Sequence, residues 1–291
     1  MKIRGFITAL TIAFMLCAGS AWAHPHIYDL STNQEIAFED LITDLASAQV
    51  VFIGELHDHE GHHRMQLEII RALHERGRPI AIGLEMFQMD YQGALDRWVA
   101  GEIPENNFLL IYHQNWSLWP LYRPIFLYAR DEGIPMVGLN IPREITRQVA
   151  RHGFESLESE QLRDLDLTGF ACIVDPAYEQ FIRRALGMHN HGDNRSFTRF
   201  CEAQLLWDRA MANNTLAFLE EHPDHTVVVL AGSGHSWKYG IPTQLDNLAE
   251  IDYRVVLPEV PGRIDRLSAS SDDTDYLWLD FGSDGWHVWN E

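Results

Sequence analysis

The sequence predicts an α/β protein whose largely parallel β-sheet is flanked by helices, with an all-helical cap insertion over the C-terminal edge of the sheet. Short apolar runs typical of buried strands alternate with segments of helical periodicity, a pattern that produces a parallel sheet covered on both faces. Residues 153–225 interrupt this alternation, and they are too long and too helical for a simple crossover. We therefore assign residues 24–152 and 226–291 to the sheet domain and residues 153–225 to the insertion.

Residues 1–23 have the parts of a secretory signal peptide. A basic start is followed by an apolar run and by an A-x-A cleavage site that ends at Ala23. Cys17 suggests lipid attachment as an alternative, but Leu16 precedes it where a lipoprotein signal has a small residue. We predict an exported, periplasmic protein that begins at His24, with lipoprotein anchoring as the alternative and no further stretch apolar enough to span a membrane.

Charge and cysteine content restrict the partners and the covalent links. The formal net charge is −20, which argues against nucleic acid and against binding to anionic lipid by charge. Cys172 and Cys201 remain after the signal peptide. In an oxidising compartment either a disulfide or two free thiols is compatible with the sequence, and a disulfide would contribute about 3–4 kcal/mol to stability.

The predicted strands and helices follow from apolar runs and periodic stripes. Residues 27–30 and 276–281 are predicted as edge strands. The other predicted strands are 50–53, 78–85, 134–140, 226–231 and 253–257. The first strand of this group precedes a helix whose apolar stripe is Met65, Ile69, Ala72 and Leu73. Further helices are predicted at 38–45, 91–99, 122–132, 142–151, 177–188 and 197–221, and an aromatic loop is predicted at 108–120.

Ligand-type side chains follow several predicted strands, where open α/β sheets place their ligands. These side chains are Glu55, His57, Asp58, Glu85, Asn140 and His235. Two of the turns share the pattern Gly-x-x-His, at 54–57 and 232–235, and the glycine lets the chain leave the strand sharply. Two histidines with carboxylates are a plausible ligand set for zinc or another divalent metal.

Each candidate also has a structural interpretation. A single histidine is more often a hydrogen-bonded structural group than a ligand, but the strand-end positions of His57 and His235 favour function. His62 and His63 begin a helix and either line the pocket or form hydrogen bonds at the helix end. His189 lies with His191 in a loop of the insertion, either solvated or facing the site. The aromatic residues of 108–119 favour packing over a ligand platform.

Five sequence blocks resemble the ChaN-like haem-binding uptake proteins of the Tiki/TraB/erythromycin-esterase superfamily. The blocks are 51–58, 84–87, 140–143, 203–208 and 230–235, and they occur in the expected order over most of the mature chain. The resemblance implies a parallel sheet with a helical cap, haem binding in a homodimer, and a role in iron acquisition with an outer-membrane haem receptor as a possible partner. Many members of the family are lipoproteins, a feature from which the sequence around Cys17 departs.

Two functions are compatible with these residues. In the first, a periplasmic protein binds haem, and histidine or tyrosine ligates the iron. The candidate contacts are Tyr91, Tyr178, Tyr239, His189 and His191 for the iron and Lys238 for a propionate. The alternative is a metal-dependent hydrolase, as the superfamily resemblance implies for His57, Glu85 and His235. Asp58 would complete the metal set, and Glu55 or Glu85 would activate the bound water.

Overall fold

The computed structural model describes residues 26–165, 167, 170–185, 194–261 and 263–279. The predicted signal peptide and the candidate ligands His189 and His191 lie outside the described residues. The described part contains one eight-stranded sheet with the order β2-β1-β8-β7-β3-β6-β4-β5. Its strands are β1 (His26–Asp29), β2 (Gln34–Ile36), β3 (Val50–Glu55), β4 (Ile80–Gln88), β5 (Met136–Asn140), β6 (Thr226–Gly232), β7 (Tyr253–Pro258) and β8 (Tyr276–Leu279).

The sheet is parallel from β8 to β5, and β1 is antiparallel to both of its neighbours. The predicted fold class is therefore confirmed. Both edge assignments were wrong. The short, polar strand β2 occupies the edge beside β1, and it carries no apolar pattern that would have revealed it. β8 lies between β7 and β1, and all four of its side chains are buried.

Eleven α-helices are present in the described part of the chain. They are α1 (Phe38–Leu45), α2 (Glu60–Glu75), α3 (Gln92–Val99), α4 (Glu105–Asn115), α5 (Trp119–Glu132), α6 (Arg143–His152), α7 (Ser159–Asp164), α8 (Pro176–Ala185), α9 (Asn194–Glu221), α10 (Ser233–Ser236) and α11 (Ile241–Asp246). The predicted loop at 108–120 was wrong. Phe108 and Tyr112, one helical turn apart, bury one face of α4 in the core.

The strands divide their side chains between two helical layers. Val51 and Ile53 of β3 pack with the helices α1 to α5, whereas Val50 and Phe52 face the layer that contains α6, α9 and α11. The aromatic side chains of α3, α4 and α5 pack together inside the first layer; for example, the ring centroids of Trp98 and Phe108 are 4.4 Å apart. These aromatic residues therefore serve as core packing.

The insertion contributes the longest helix of the second layer. α9 contacts β5, α6 and α11, and its buried residues belong to the same core as the sheet. A disulfide joins Cys201 of α9 to Cys172, which lies in the segment before α8. Among the described helices, none combines the length and the apolar character that crossing a bilayer requires.

Candidate functional site

The carboxyl ends of β3, β6 and β4 are neighbours in the sheet and bring the predicted side chains together. Glu55 ends β3, Glu85 lies near the end of β4, and His235 follows β6 on the short helix α10. His57 lies in the turn between β3 and α2. The two Gly-x-x-His turns therefore face each other across Glu85, as the strand-end pattern predicts.

Glu55 is the most densely hydrogen-bonded group of the site. Its carboxylate is buried and accepts hydrogen bonds from the Tyr122 hydroxyl, from His57 Nδ1 at 2.8 Å and from Gln66 Nε2 at 2.8 Å. His63 Nδ1 lies 3.3 Å from the same carboxylate. Burial alone would raise the pKa of Glu55, but the hydrogen bond from His57, the charges of His63 and His57 and the Tyr122 hydroxyl lower it to about 2. Glu55 is therefore a charged anchor rather than a proton donor.

His57 is the more accessible of the two site histidines. Its side chain is 40% exposed, and Trp116 meets its ring edge-on with the centroids 5.0 Å apart. Burial opposes the charged imidazolium, but the hydrogen bond to Glu55 and the charges of Glu85, Glu55 and Asp58 raise the pKa of His57 to about 9. At neutral pH this side chain is a cation that can donate a proton from Nε2.

His235 forms a second histidine–carboxylate pair. Its Nδ1 lies 2.6 Å from Asp208 Oδ1, and the other oxygen of Asp208 accepts a hydrogen bond of 2.5 Å from the Tyr178 hydroxyl. Burial opposes the charged form of His235, but the carboxylates of Asp208 and Glu85 raise its pKa. Burial also raises the pKa of Asp208, because the bonds from His235 and Tyr178 do not fully offset the loss of solvent. No role for Asp208 was predicted from the sequence, and α9 brings this residue into the site.

Glu85 lies between the two histidine–carboxylate pairs. One of its oxygens accepts the backbone N–H of Gly232 at 2.6 Å, and the other is 3.9 Å from His235 Nε2. A Cβ at Gly232 would lie 3.1 Å from His57 Cε1, so a larger residue there would push the His57 ring by a few tenths of an ångström. Both imidazoles are held through Nδ1 and leave Nε2 for other partners. The arrangement is suited to general acid–base chemistry.

The predicted metal set is not supported by this geometry. Asp58 is exposed and is not brought into hydrogen-bond contact with the other site residues. Among the described side chains, no group of three or more His, Cys, Asp and Glu residues is arranged to hold a metal ion. Asn140 has a structural role, since its side chain donates to the Glu85 carbonyl and accepts the N–H of Ile141, both at 2.9 Å.

His62 and His63 are buried and form hydrogen bonds around the turn after β3. His62 Nδ1 accepts the backbone N–H of Leu56 at 2.8 Å, and His63 Nε2 lies 2.9 Å from the carbonyl oxygen of His57. Burial and the charge of the stacked His59 ring lower the pKa of His62 to about 3, so His62 is neutral in the folded protein. Both histidines therefore shape the turn that presents His57.

The haem-ligand candidates lie in different parts of the molecule. Tyr178 and Tyr239 line a cavity of about 250 Å³ between the insertion and α11. Tyr91 packs in the layer on the opposite face of the sheet and donates a hydrogen bond to Gln114. Lys238 is engaged, because its ammonium lies 2.6 Å from the Asp275 carboxylate. Of the four candidate contacts that lie within the described residues, the structure therefore brings together two, Tyr178 and Tyr239.

One family model matches most of this chain. Residues 41–245 match the family model for haem-binding uptake proteins of the Tiki superfamily, ChaN. ChaN of Campylobacter jejuni, solved with cofacially bound haem, is similar with a TM-score of 0.67 and 24% identity over 88% of this chain and 96% of that one. An erythromycin esterase mutant in its open conformation has a TM-score of 0.49 and 17% identity over 80% of this chain and 76% of the esterase.

A plant protein shares a shorter stretch. Protein RETICULATA-RELATED 5, chloroplastic, of Arabidopsis thaliana is 29% identical over 126 residues. The match covers 40% of this chain and only 17% of the plant protein. The chain thus spans a small part of that relative.

Proposed function

This chain belongs to the ChaN family of haem-binding uptake proteins in the Tiki superfamily, and we propose that it is an exported haem-binding protein of iron acquisition. The family match carries this proposal, because it extends from α1 to α11 and includes the strands β3 to β6 and the insertion. The cofacial haem of the Campylobacter jejuni protein supports a homodimer that holds haems face to face. The signal-peptide features of residues 1–23 support a periplasmic location, where an outer-membrane haem receptor would be the partner.

The cavity between the insertion and α11 is the proposed haem site. Its lining includes the apolar side chains of Phe170, Ile173 and Val174 beside the hydroxyl-bearing Tyr239. Its volume is below the range of about 300–1,000 Å³ that is usual for drug-sized ligands, so a porphyrin would lie across the mouth rather than inside. Ile173 is 88% exposed and would offer apolar surface to the ring there.

Tyr239 is the proposed iron ligand. Tyrosine oxygen ligates haem iron in other proteins. Tyr239 is half-buried, and its hydroxyl makes no hydrogen bond to another described residue, whereas the Tyr178 hydroxyl already donates to Asp208. Burial and the charges of Asp175, Asp273 and Asp272 raise the pKa of Tyr239, so iron must displace a proton from the phenol. Haem affinity should consequently rise with pH.

Tyr239→Phe should weaken haem binding by about tenfold or more, which corresponds to about 1.4 kcal/mol. The measurement is an absorbance titration of the purified protein with ferric haem. Tyr91→Phe is the matched control, because it removes a phenol from the opposite face of the sheet, and it should bind as the wild type does. Equal affinities for wild type and Tyr239→Phe would reject Tyr239 as the ligand. A wild-type protein that shifts no haem band would overturn the proposed function itself.

A second candidate function, hydrolysis, is favoured by one observation. Two histidine–carboxylate pairs are aimed at Glu85 at the carboxyl edge of the sheet, an arrangement that haem binding in the cavity does not use. In such a site His57 Nε2 would donate a proton to the leaving group, and Glu85 would take a proton from the attacking water. General acid–base groups of this kind contribute about 10²–10⁴-fold to a rate.

This second function is tested with simple activated esters. If the edge site is hydrolytic, Glu85→Gln and His57→Gln should each lower the rate of ester hydrolysis by about 10²-fold or more. Asp58→Asn, which changes an exposed acid in the same turn, is the control and should retain the wild-type rate. Haem titration of the same variants should be unchanged, since the cavity does not contain these residues. Hydrolysis that is equal in wild type and both site variants would reject the hydrolase.

A further inference from the structure

We infer that the Cys172–Cys201 disulfide controls ligand binding in the cavity between the insertion and α11. The site would hold its ligand while the disulfide is intact and release it after reduction. The identity of the ligand as haem rests on the proposed function. The control by the disulfide rests on how one wall of the cavity is attached to the rest of the protein.

That wall is the segment 170–175, called the wall segment below. Five of its six residues line the cavity. The wall segment contains neither helix nor strand, and Ile173 within it is largely exposed. Its backbone hydrogen bonds are local, because Phe170 donates to the Leu167 carbonyl and Ile173 donates to the Ala171 carbonyl. Such a segment has little of the burial and hydrogen bonding that hold other parts of a fold in place.

The disulfide attaches the centre of the wall segment to α9. Cys172 lies between the cavity-lining residues Ala171 and Ile173, and it is joined to the fully buried Cys201. One helical turn after Cys201, Leu205 of α9 also lines the cavity. The bond therefore fixes the distance between two walls of one site.

The other attachments of the wall segment lie at its two ends. At the first end, the Phe170 ring meets Phe154 edge-on with the centroids 6.5 Å apart, and the Arg209 guanidinium lies 5.4 Å from the ring centroid. At the second end, the Asp175 carboxylate accepts the N–H of Ala177 at the start of α8. Beside the second end, Val174 also packs against the core of the second layer. The exposed Ala171 and Ile173, on either side of Cys172, depend on the disulfide for their position.

Reduction would free the wall without dismantling the sheet. A dithiol reductant supplies two electrons, the S–S bond breaks, two thiols form and the reductant becomes a cyclic disulfide. Cys172 is half-buried, so an external thiolate can reach it more readily than it can reach Cys201. α9 would stay in place, because it also contacts β5, α6 and α11. The wall segment would then sample more conformations, and the apolar surface offered to a ligand would be lost part of the time.

The test uses gallium(III) protoporphyrin, because thiols do not reduce its metal and so act on the protein alone. Binding is measured by fluorescence titration for the oxidised wild type, the wild type after dithiol reduction, and the double variant Cys172→Ser/Cys201→Ser. Ala100→Ser is the control, since it adds a hydroxyl at an exposed position outside the cavity and keeps the disulfide. Limited digestion with chymotrypsin reports cleavage after Phe170, and circular dichroism verifies that each protein is folded at the assay temperature.

We expect both disulfide-free proteins to be folded, to bind the porphyrin about tenfold or more weakly than the oxidised wild type, and to be cleaved faster after Phe170. Ala100→Ser should behave as the oxidised wild type does. Equal porphyrin affinity in the oxidised wild type and in the folded double variant would overturn this inference and leave the proposed function intact. Absence of binding in every protein, the oxidised wild type included, would overturn both.

Discussion

Replacing Glu55 with alanine should lower the free energy of unfolding by about 3–5 kcal/mol, the range observed when one partner of a buried charge pair is removed. Glu55 is 1% exposed, and its carboxylate accepts hydrogen bonds from His57, Gln66 and Tyr122. Alanine would leave these buried donors without their acceptor, and each unpaired group costs about 1–3 kcal/mol. The measurement is urea-induced unfolding of wild type and variant at pH 6.5.

Two further variants identify the cause of this loss. Asp58→Ala removes an exposed acid from the same turn, and its free energy of unfolding should stay within about 0.5 kcal/mol of the wild-type value. Glu55→Gln keeps the shape of the side chain but removes its charge, so its free energy of unfolding should lie between those of Glu55→Ala and Asp58→Ala. In Glu55→Gln the pKa of His57, followed by NMR, should fall from about 9 towards 6.5. An unchanged His57 pKa would show that Glu55 does not set the charge of the site.

The parts of the site that lie on strands could be predicted from the sequence for a physical reason. Parallel strands end at the same edge, so local runs of apolar residues followed by Glu55, Glu85 and His235 were sufficient to place these side chains together. The glycine of each Gly-x-x-His turn marked where the chain leaves the sheet. No tertiary information was needed for this step, because strand direction alone determines which ends meet.

The partners that come from helices could not be predicted in this way. Asp208 meets His235 across 27 residues and Tyr122 meets Glu55 across 67, and these contacts depend on how α9 and α5 pack on the two faces of the sheet. In the sequence Asp208 is one polar residue of a long helix, and Tyr122 is one aromatic residue among many. Helical periodicity identifies the buried face of a helix but not the strand end that this face will contact.

The prediction of the edge strands was wrong for a related reason. Strand prediction relied on apolar runs, but β2 has two exposed residues and one that is half-buried, so it has no run to detect. Without β2 and without the pairing of β1 with β8, the run at 276–281 had no visible neighbour and was placed at the edge. Burial on both faces, which the structure gives to β8, is a property of its neighbours rather than of its own four residues.

Stability should be greatest near pH 6.5 and fall on both sides. On the acid side, the important group is His62, whose pKa is about 3 in the folded protein and 6.5 in the unfolded chain. Between pH 3 and pH 6.5 His62 is therefore neutral when folded and takes up a proton when the protein unfolds. The free energy of unfolding therefore falls as the pH drops below 6.5, by at most about 1.4 kcal/mol per unit for this group. Glu55 has a pKa of about 2 in the folded protein and of 4.5 in the unfolded chain, so it further lowers the free energy of unfolding below pH 4.5.

On the alkaline side, unfolding releases a proton instead of taking one up. The reason is that His57 has a pKa of about 9 in the folded protein and of 6.5 in the unfolded chain. Stability is therefore lost as the pH rises from 6.5 to 9, and the loss is smaller because the His57 side chain is 40% exposed to screening solvent. Urea unfolding at pH 4.5, 6.5 and 8.5 measures both effects. In His62→Asn the side-chain oxygen can still accept the Leu56 N–H, and this variant should reduce only the loss of stability below pH 6.5. His57→Gln should reduce only the loss of stability above pH 6.5. A wild-type protein that grows more stable from pH 6.5 to pH 4.5 would contradict the neutral state of His62, and hence the account of the turn that presents His57.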